Sequence, residues 1–200
     1  MKKSITRHVG FIIFDNLIDP KKILVVQSNI DWWGFPKGAR EVVSGNKIES
    51  NLACGLRELE EETGITKYDI KYALSDGKIM TIICDHLLLY VACSNVTSFV
   101  YNPNEIKNAL WCDIKDFMAI DNIPMTETIR AKKVYEKLWI DTKDTIYNIL
   151  VRLLTEKIEQ KDHSDIVKIY PNICDPLLMS KFELVFRWKC KNRTVDYYCD

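Results

Sequence analysis

The chain has 200 residues, long enough for one well-packed core with an extension, and its 47% hydrophobic content excludes a disordered polar chain. Lys+Arg 28 balance Asp+Glu 28, which excludes a global field for nucleic acid or membrane and leaves any anionic partner to a local patch. The seven cysteines, Cys54, Cys84, Cys93, Cys112, Cys174, Cys190 and Cys199, form no C-x-x-C pair and are odd in number, which points to reduced thiols in a cytoplasmic setting.

The opening "MKKSITRHVGFIIFD" places basic residues before a short apolar run that leads to no small-residue cleavage site, so it reads as a strand rather than a signal peptide. No stretch is long enough to span a bilayer. "HVGFIIF" and "KILVVQS" are β-branched runs on either side of the turn-forming "DNLIDPKK" and are expected to pair as strands. A loop with Trp32, Trp33, Gly34, Pro36 and Gly38 follows. From about Ser50 to Thr63, Leu52, Ala53, Leu56 and Leu59 recur at helical spacing, and Gly64 supplies a C-cap.

Further strands are predicted at "YDIKYALS", "GKIMTIIC", "HLLLYVAC" and "NALWCDI". Beyond about Thr126, "ETIRAKKVYEKLW" and "TIYNILVRLLTEKI" read as helices. The second carries Ile146, Ile149, Leu150, Leu153, Leu154 and Ile158 as an apolar stripe. "KFELVFRWK" alternates like a late strand, with Phe182, Leu184, Phe186 and Trp188 on one face. With no repeat and no low-complexity linker, the extension is expected to pack on the first core.

Glu58, Glu61 and Glu62 stand at i, i+3 and i+4, so a helix presents their carboxylates from one face. Such like charges raise one another's pKa unless something positive sits among them. Hard divalent cations prefer oxygen ligands and are commonly held by a few carboxylates together with substrate phosphates. The glycines ahead of the helix let backbone approach, and Lys37 adds charge for phosphates. The alternative is a solvated acidic face, with Arg57 and Glu61 as an ordinary ion pair.

Glu49, then seven residues, then Arg57-Glu58-Leu59, Glu61-Glu62 and Gly64-Ile65 resembles the second part of the Nudix box, G-x5-E-x7-R-E-U-x-E-E-x-G-U, U being a bulky aliphatic. The resemblance implies a Nudix-type α/β/α sandwich of mixed strands around the catalytic helix. It places the hydrolase domain at residues 1–140 and a helical C-terminal extension, packed on the same core, at 141–200. It also implies a pyrophosphohydrolase dependent on Mg²⁺ or Mn²⁺. Glu61 and Glu62 would be the main metal ligands, and Glu58 a further ligand or the group that activates water. Arg57 would orient the glutamates, and Glu49 would support the site at its edge.

One departure stands out: the position six before Glu49 is Val43, where the box has its first glycine. Taking Gly38 as that glycine, a metal ligand through its backbone carbonyl, implies an insertion of about five residues, tolerable because loops lengthen at small entropic cost.

The substrate is suggested by two further resemblances. "WGFPKG" is similar to the loop entering the box in the catalytic subunit of the eukaryotic mRNA-decapping enzyme, and "NEIKNALWCDIKDF" to its NEI...W segment. The glutamate of that segment, here Glu105, would complete the metal and general-base site. Capped RNA is therefore the expected substrate, with a source among the large DNA viruses and a host-cytoplasmic location in keeping. Diadenosine-polyphosphate and diphosphoinositol-polyphosphate hydrolases are the rival readings, and a non-catalytic Nudix-fold RNA-binding protein is the rival from another class. Trp32 and Trp33 either stack on a base or cap the sheet. Lys132 and Lys133, in "RAKKVYEK", either grip RNA phosphates or form a solvated face.

Overall fold

The computed structural model describes residues 8–29, 33–44, 47–84, 87–114, 149–170 and 183–188. The helix expected over "ETIRAKKVYEKLW", with Lys132 and Lys133, lies outside these residues, as does Trp32.

The β-branched runs form the strands their composition predicts. They are β1 (His8–Phe14), β2 (Lys22–Ser28), β7 (Ile70–Ser75), β8 (Lys78–Cys84), β9 (Leu87–Ser94), β10 (Ile106–Asp113) and β12 (Glu183–Trp188). Between β2 and the first helix the chain makes four short strands: β3 (Trp33–Gly34), β4 (Lys37–Ala39), β5 (Val42–Ser44) and β6 (Lys47–Ile48). The main sheet runs β10-β2-β1-β9-β7-β8-β12. On it, β3 pairs with β2, β4 with β1, and β11 (Ile158–Asp162) with β7. β1 runs parallel to β9 from His8↔Leu87 to Phe14↔Cys93, and β8 parallel to β12. The other pairs are antiparallel, so the sheet is mixed.

Helices cover both faces. β1 shows why: Val9, Phe11 and Ile13 point into a core with Leu52, Cys54 and Leu59 of α1 (Asn51–Thr63), while Ile12 and Phe14 point into a second core with Ile149 and Leu153 of α2 (149–155). Alternation along a strand buried on both faces makes a near-continuous apolar run of this kind. A further helix, α3 (His163–Ile169), adds Ile166 to the α1 side.

Helix α1 starts where Ser50 Oγ accepts the Ala53 N–H at 3.1 Å and ends at Gly64, whose φ of 75° places it in the left-handed region and whose N–H bonds Glu60 O. Its buried stripe differs from the predicted one at one place. Ala53 is exposed, and Cys54 and Gly55 face the sheet instead. A Cβ on Gly55 would stand 3.1 Å from the Phe11 ring, so the small residue lets the helix lie close on β1.

The apolar stripe of the second predicted helix is also cut short. Residues 149–155 are helical, but Ile158 opens β11, and Leu154 is 69% exposed. Two features take the chain off the helix. The Arg152–Glu156 ion pair, with Ser75 Oγ donating to Glu156 at 2.7 Å, anchors the last turn to β7. The following residues then satisfy the backbone groups of β7, from Ile158↔Ser75 to Asp162↔Lys71, which local helical periodicity cannot register. Among the described residues no helix is long and apolar enough to cross a membrane.

The two leucines separate buried from merely periodic. Leu59→Ala should cost about 2–5 kcal/mol, as for deletion of a closed core side chain. Leu154→Ala should stay within about 0.5 kcal/mol. Urea unfolding of the two variants checks this, and equal losses would contradict the packing described.

Candidate functional site

The site begins with a close approach of backbones. Gly10 on β1 has no side chain where the chain leading into β4 crosses it: a Cβ there would lie 2.0 Å from Pro36 O. The neighbouring Phe11 N–H bonds that same oxygen at 3.0 Å. Lys37 and Gly38 are thereby pressed between β1 and α1. Gly38 makes the second close approach, since a Cβ on it would fall 2.1 Å from the Glu58 carboxylate. Its carbonyl accepts from the Cys54 thiol at 3.6 Å.

The expected insertion between Gly38 and Glu49 is a two-stranded ribbon, β5 with β6, closed at its base. Glu49 N–H bonds Glu41 O at 2.9 Å, and Glu41 N–H bonds Glu49 Oε1 at 2.9 Å. The extra residues loop outward from this clip, and Glu49 remains buried beside the helix.

Arg57 gathers the acids. Its Nη2 donates to Glu49 Oε1 at 2.8 Å and to Ala39 O at 2.9 Å, and its Nε reaches Glu49 Oε2 at 3.5 Å. Its Nη1 lies 2.8 Å from Glu58 Oε1 and 2.9 Å from Glu61 Oε2, with Glu41 further off at 3.8 Å. The i,i+4 pair with Glu61 is thus present, but as one arm of a wider network rather than as an isolated surface pair. Glu62 stands apart from the guanidinium and accepts the Lys37 backbone N–H at 2.9 Å.

The carboxylates differ in what balances them. Burial pushes Glu49 up, but the hydrogen bonds from Arg57 and the Glu41 N–H outweigh it and hold the group below its ordinary value. Glu58 is raised, chiefly by burial, although Arg57 pulls it down, with Glu61 and Glu105 adding repulsion. Glu62 is raised to about 7, again by burial first; Lys37 opposes this and the charges of Glu58 and Glu105 reinforce it. Burial drives the Cys54 thiol up to about 12, so it is a neutral donor and no nucleophile.

Glu105 lies at the exposed end of the loop before β10, and its charge is felt at both Glu58 and Glu62. Trp111 is partly buried against Phe99 at 6.1 Å, and its Nε1 donates to Val96 O. Trp33 is 7% exposed in the core on the α2 side, so its ring caps the sheet and offers no face to a base.

Sequence reasoning passed over Glu41, Cys54 and Asn102. Nothing in the spacing of "AREVV" signals that Glu41 closes the ribbon on Glu49, because the contact depends on how the ribbon folds.

Among the described residues no three His, Cys, Asp or Glu groups converge as a ready-made metal set, since Glu58 and Glu61 are turned to Arg57. The donor chemistry nevertheless suits a hard cation: the groups are oxygens, and half-buried Glu62 has, among the described residues, Lys37 to oppose its desolvation.

Two outcomes follow from this geometry. Gly38→Ala should displace the Glu58 carboxylate and lower turnover by about 10²-fold, the scale of a 1 Å misplacement, with little loss of stability. Kinetics beside a thermal melt checks it, and a wild-type rate would refute the contact. For pH, the folded state holds a proton on Glu62 up to about 7, whereas the unfolded chain releases it near 4.5. That stabilisation is complete below the unfolded value and is lost as pH rises through the folded one. Glu58 acts in the same sense, and Glu49, being lowered, contributes stability that is lost only as pH falls. In chelator, Tm should decline from pH 5 to 7, and Glu62→Gln should flatten the decline. A flat wild-type profile would contradict the desolvation of half-buried Glu62.

The NUDIX domain model matches residues 6–138. In Invertebrate iridescent virus 3, a protein named "Putative hydrolase 111R" is 39% identical over 69 residues, which are 34% of this chain and 36% of that protein. In Acanthamoeba polyphaga mimivirus, one named "Putative mRNA-decapping protein" is 51% identical over 37 residues, 18% of this chain and 9% of that protein. The chain therefore aligns with about a third or less of each relative. Among solved structures, a C. elegans Ap4A hydrolase binary complex has 18% identity and a TM-score of 0.43, covering 71% of this chain and 98% of that one. An ADP-ribose pyrophosphatase of Streptococcus suis has 17% identity and a TM-score of 0.43, covering 76% and 94%. With the domain model matching well over half of its residues, the chain belongs to the NUDIX domain family.

Proposed function

We propose that this NUDIX-domain protein is a hydrolase of nucleoside diphosphate derivatives that acts on capped RNA, cleaving a phosphoanhydride of the 5′ cap and releasing a capped nucleoside diphosphate. The observation that carries the reading is the 37-residue segment, 51% identical to the mimivirus protein named for mRNA decapping. In this reading residues 1–140 form the hydrolase domain and residues 141–200 an extension on the same core, working in the cytoplasm.

Glu58, Glu61 and Glu62, with the Gly38 carbonyl, would hold Mg²⁺ or Mn²⁺. The cation, when bound, polarises the phosphoryl oxygens and neutralises charge on the leaving phosphate. Arg57 and Glu49 fix the first turns of the helix so that the three carboxylates share one face. Lys37 places its charge beside Glu62, where the phosphates of the substrate would lie. Glu105, whose carboxylate accepts from Asn102 Nδ2, takes the proton of the attacking water. The water oxygen bonds to phosphorus as the bridging P–O bond breaks, and the leaving phosphate departs on its oxygen. Lys132 and Lys133 supply the grip on the RNA body.

Glu61→Gln and Glu62→Gln should each lower turnover by about 10²-fold or more while leaving the fold intact. Mn²⁺ should raise Tm at pH 8 and much less at pH 5, and should lose this effect in Glu62→Gln. Wild-type rates in both variants at saturating metal would overturn the site. For the substrate, turnover of cap-labelled RNA, diadenosine polyphosphate and diphosphoinositol polyphosphate is compared, with Glu62→Gln as blank. Release of capped nucleoside diphosphate from RNA alone is the expected result, and Lys132→Ala with Lys133→Ala should then weaken RNA binding and flatten its salt dependence. Preference for either small polyphosphate would replace the decapping reading.

A further inference from the structure

We propose that Asn102 is a positioning residue for Glu105, coupling the water-activating carboxylate to the end of the glutamate-bearing helix. The inference rests on the reading of Glu105 given above. A helix leaves its last four carbonyls without intrahelical partners. In α1 the Glu60 carbonyl is taken by the Gly64 N–H, the Glu61 carbonyl by the Asn102 N–H at 3.2 Å, and the Thr63 carbonyl by the Val100 N–H at 3.1 Å. Two of these three partners belong to the loop that carries Glu105, so that loop is built onto the helix end.

Within the loop, Asn102 uses every polar group it has. Its carbonyl accepts from the Glu105 N–H at 3.1 Å and the Ile106 N–H at 3.0 Å. Its Oδ1 accepts from the Asn104 N–H at 3.0 Å, an Asx turn. Its Nδ2 donates to Glu105 Oε1 at 3.2 Å. The far side of the turn is held by Asn29, whose N–H bonds Glu105 O at 3.2 Å and whose Nδ2 bonds Pro103 O at 3.2 Å.

The backbone of Glu105 is therefore fixed twice over, but its side chain is exposed and free to exchange rotamers unless something selects one. Asn102 Nδ2 makes that selection, and the same residue's backbone is bonded to Glu61. One residue thus sets the relation between the helix carboxylates and Glu105. Exposure makes the bond weak in stability terms, so its effect belongs to geometry.

Asn102→Asp separates the two roles of the side chain. It keeps an acceptor for the Asn104 N–H and loses the donor to Glu105, whereas Asn102→Ser keeps an acceptor without adding charge and withdraws its O–H donor from Glu105 on a shorter arm. Kinetics on the panel substrate with the highest kcat/KM should show kcat about tenfold lower in both variants with KM little changed, a smaller loss than a full 1 Å misplacement gives. Amide hydrogen exchange of residues 99–106 should match wild type in at least one of them, which a turn-holding role alone would not combine with lost turnover. On a Glu105→Ala background the Asn102→Asp change should cost nothing further. Wild-type kcat in Asn102→Asp and Asn102→Ser beside an impaired Glu105→Ala would overturn the positioning role alone, as would additive losses in the double variant. Wild-type kcat in Glu105→Ala would instead overturn the reading of Glu105, and the role of Asn102 with it.

Discussion

The site depends on one guanidinium. Glu49, Glu58 and Glu61 approach a common point on a partly buried surface, where like charges without a counter-charge would drive each other to protonate or turn away. Arg57 prevents this with a planar fork, and the allocation of its donors is unequal. Nε and Nη2 go to buried Glu49 and to the Ala39 carbonyl, which fixes the plane of the group. Only Nη1 is left for Glu58 and Glu61. A lysine would bring the same charge with no fixed plane, and so could not hold β4, the start of the helix and the acidic face in one register.

That arrangement in turn requires β4 to lie close to both β1 and α1, and two glycines permit it. Gly10 yields to Pro36 O and Gly38 yields to the Glu58 carboxylate. The ribbon inserted after β4 does not disturb them because its base is closed by reciprocal bonds between Glu41 and Glu49. An insertion closed in this way costs entropy in the loop but transmits no strain to the helix, which explains how a chain with Val43 at the usual glycine position still brings Gly38 against Glu58.

What could be read from the residues alone was whatever obeys a local period. The strands around Ile12, Val25 and Tyr90 and the helix carrying Glu58 repeat at two or at three to four residues, and the structure contains them. What such a period does not report is the partner. Ile158 fits a helical stripe with Leu150 and Leu154, yet β7, some eighty positions earlier, claims it as a strand residue. Trp33, in a glycine-rich loop, leaves stacking on a base and capping the sheet equally open, and it is the sheet that buries it. Asn102 gives no signal in the sequence, because its two consequential bonds reach a helix forty positions back and a carboxylate three positions on. The carboxylates of the box were legible for a different reason: their spacing is itself the geometry.

The electrostatic balance divides the acids into two sets, and the division bears on where chemistry takes place. Glu49, Glu58 and Glu61 share the charge of Arg57. Glu62 has a backbone N–H and the charge of Lys37, which do not offset its burial. Glu105 adds negative charge on the same side. The uncompensated charge therefore lies between Glu62 and Glu105, away from the guanidinium. A cation held against Glu62 would remove the cost of burying it. The same cation would also draw Glu58 and Glu61 from Nη1, since both are already adjacent and, among the described residues, neither pairs with a second positive group. Arg57 would keep its place through Glu49 and Ala39 while this exchange occurs. The unequal use of its donors thus lets one residue hold the helix in position without competing for all of the carboxylates at once.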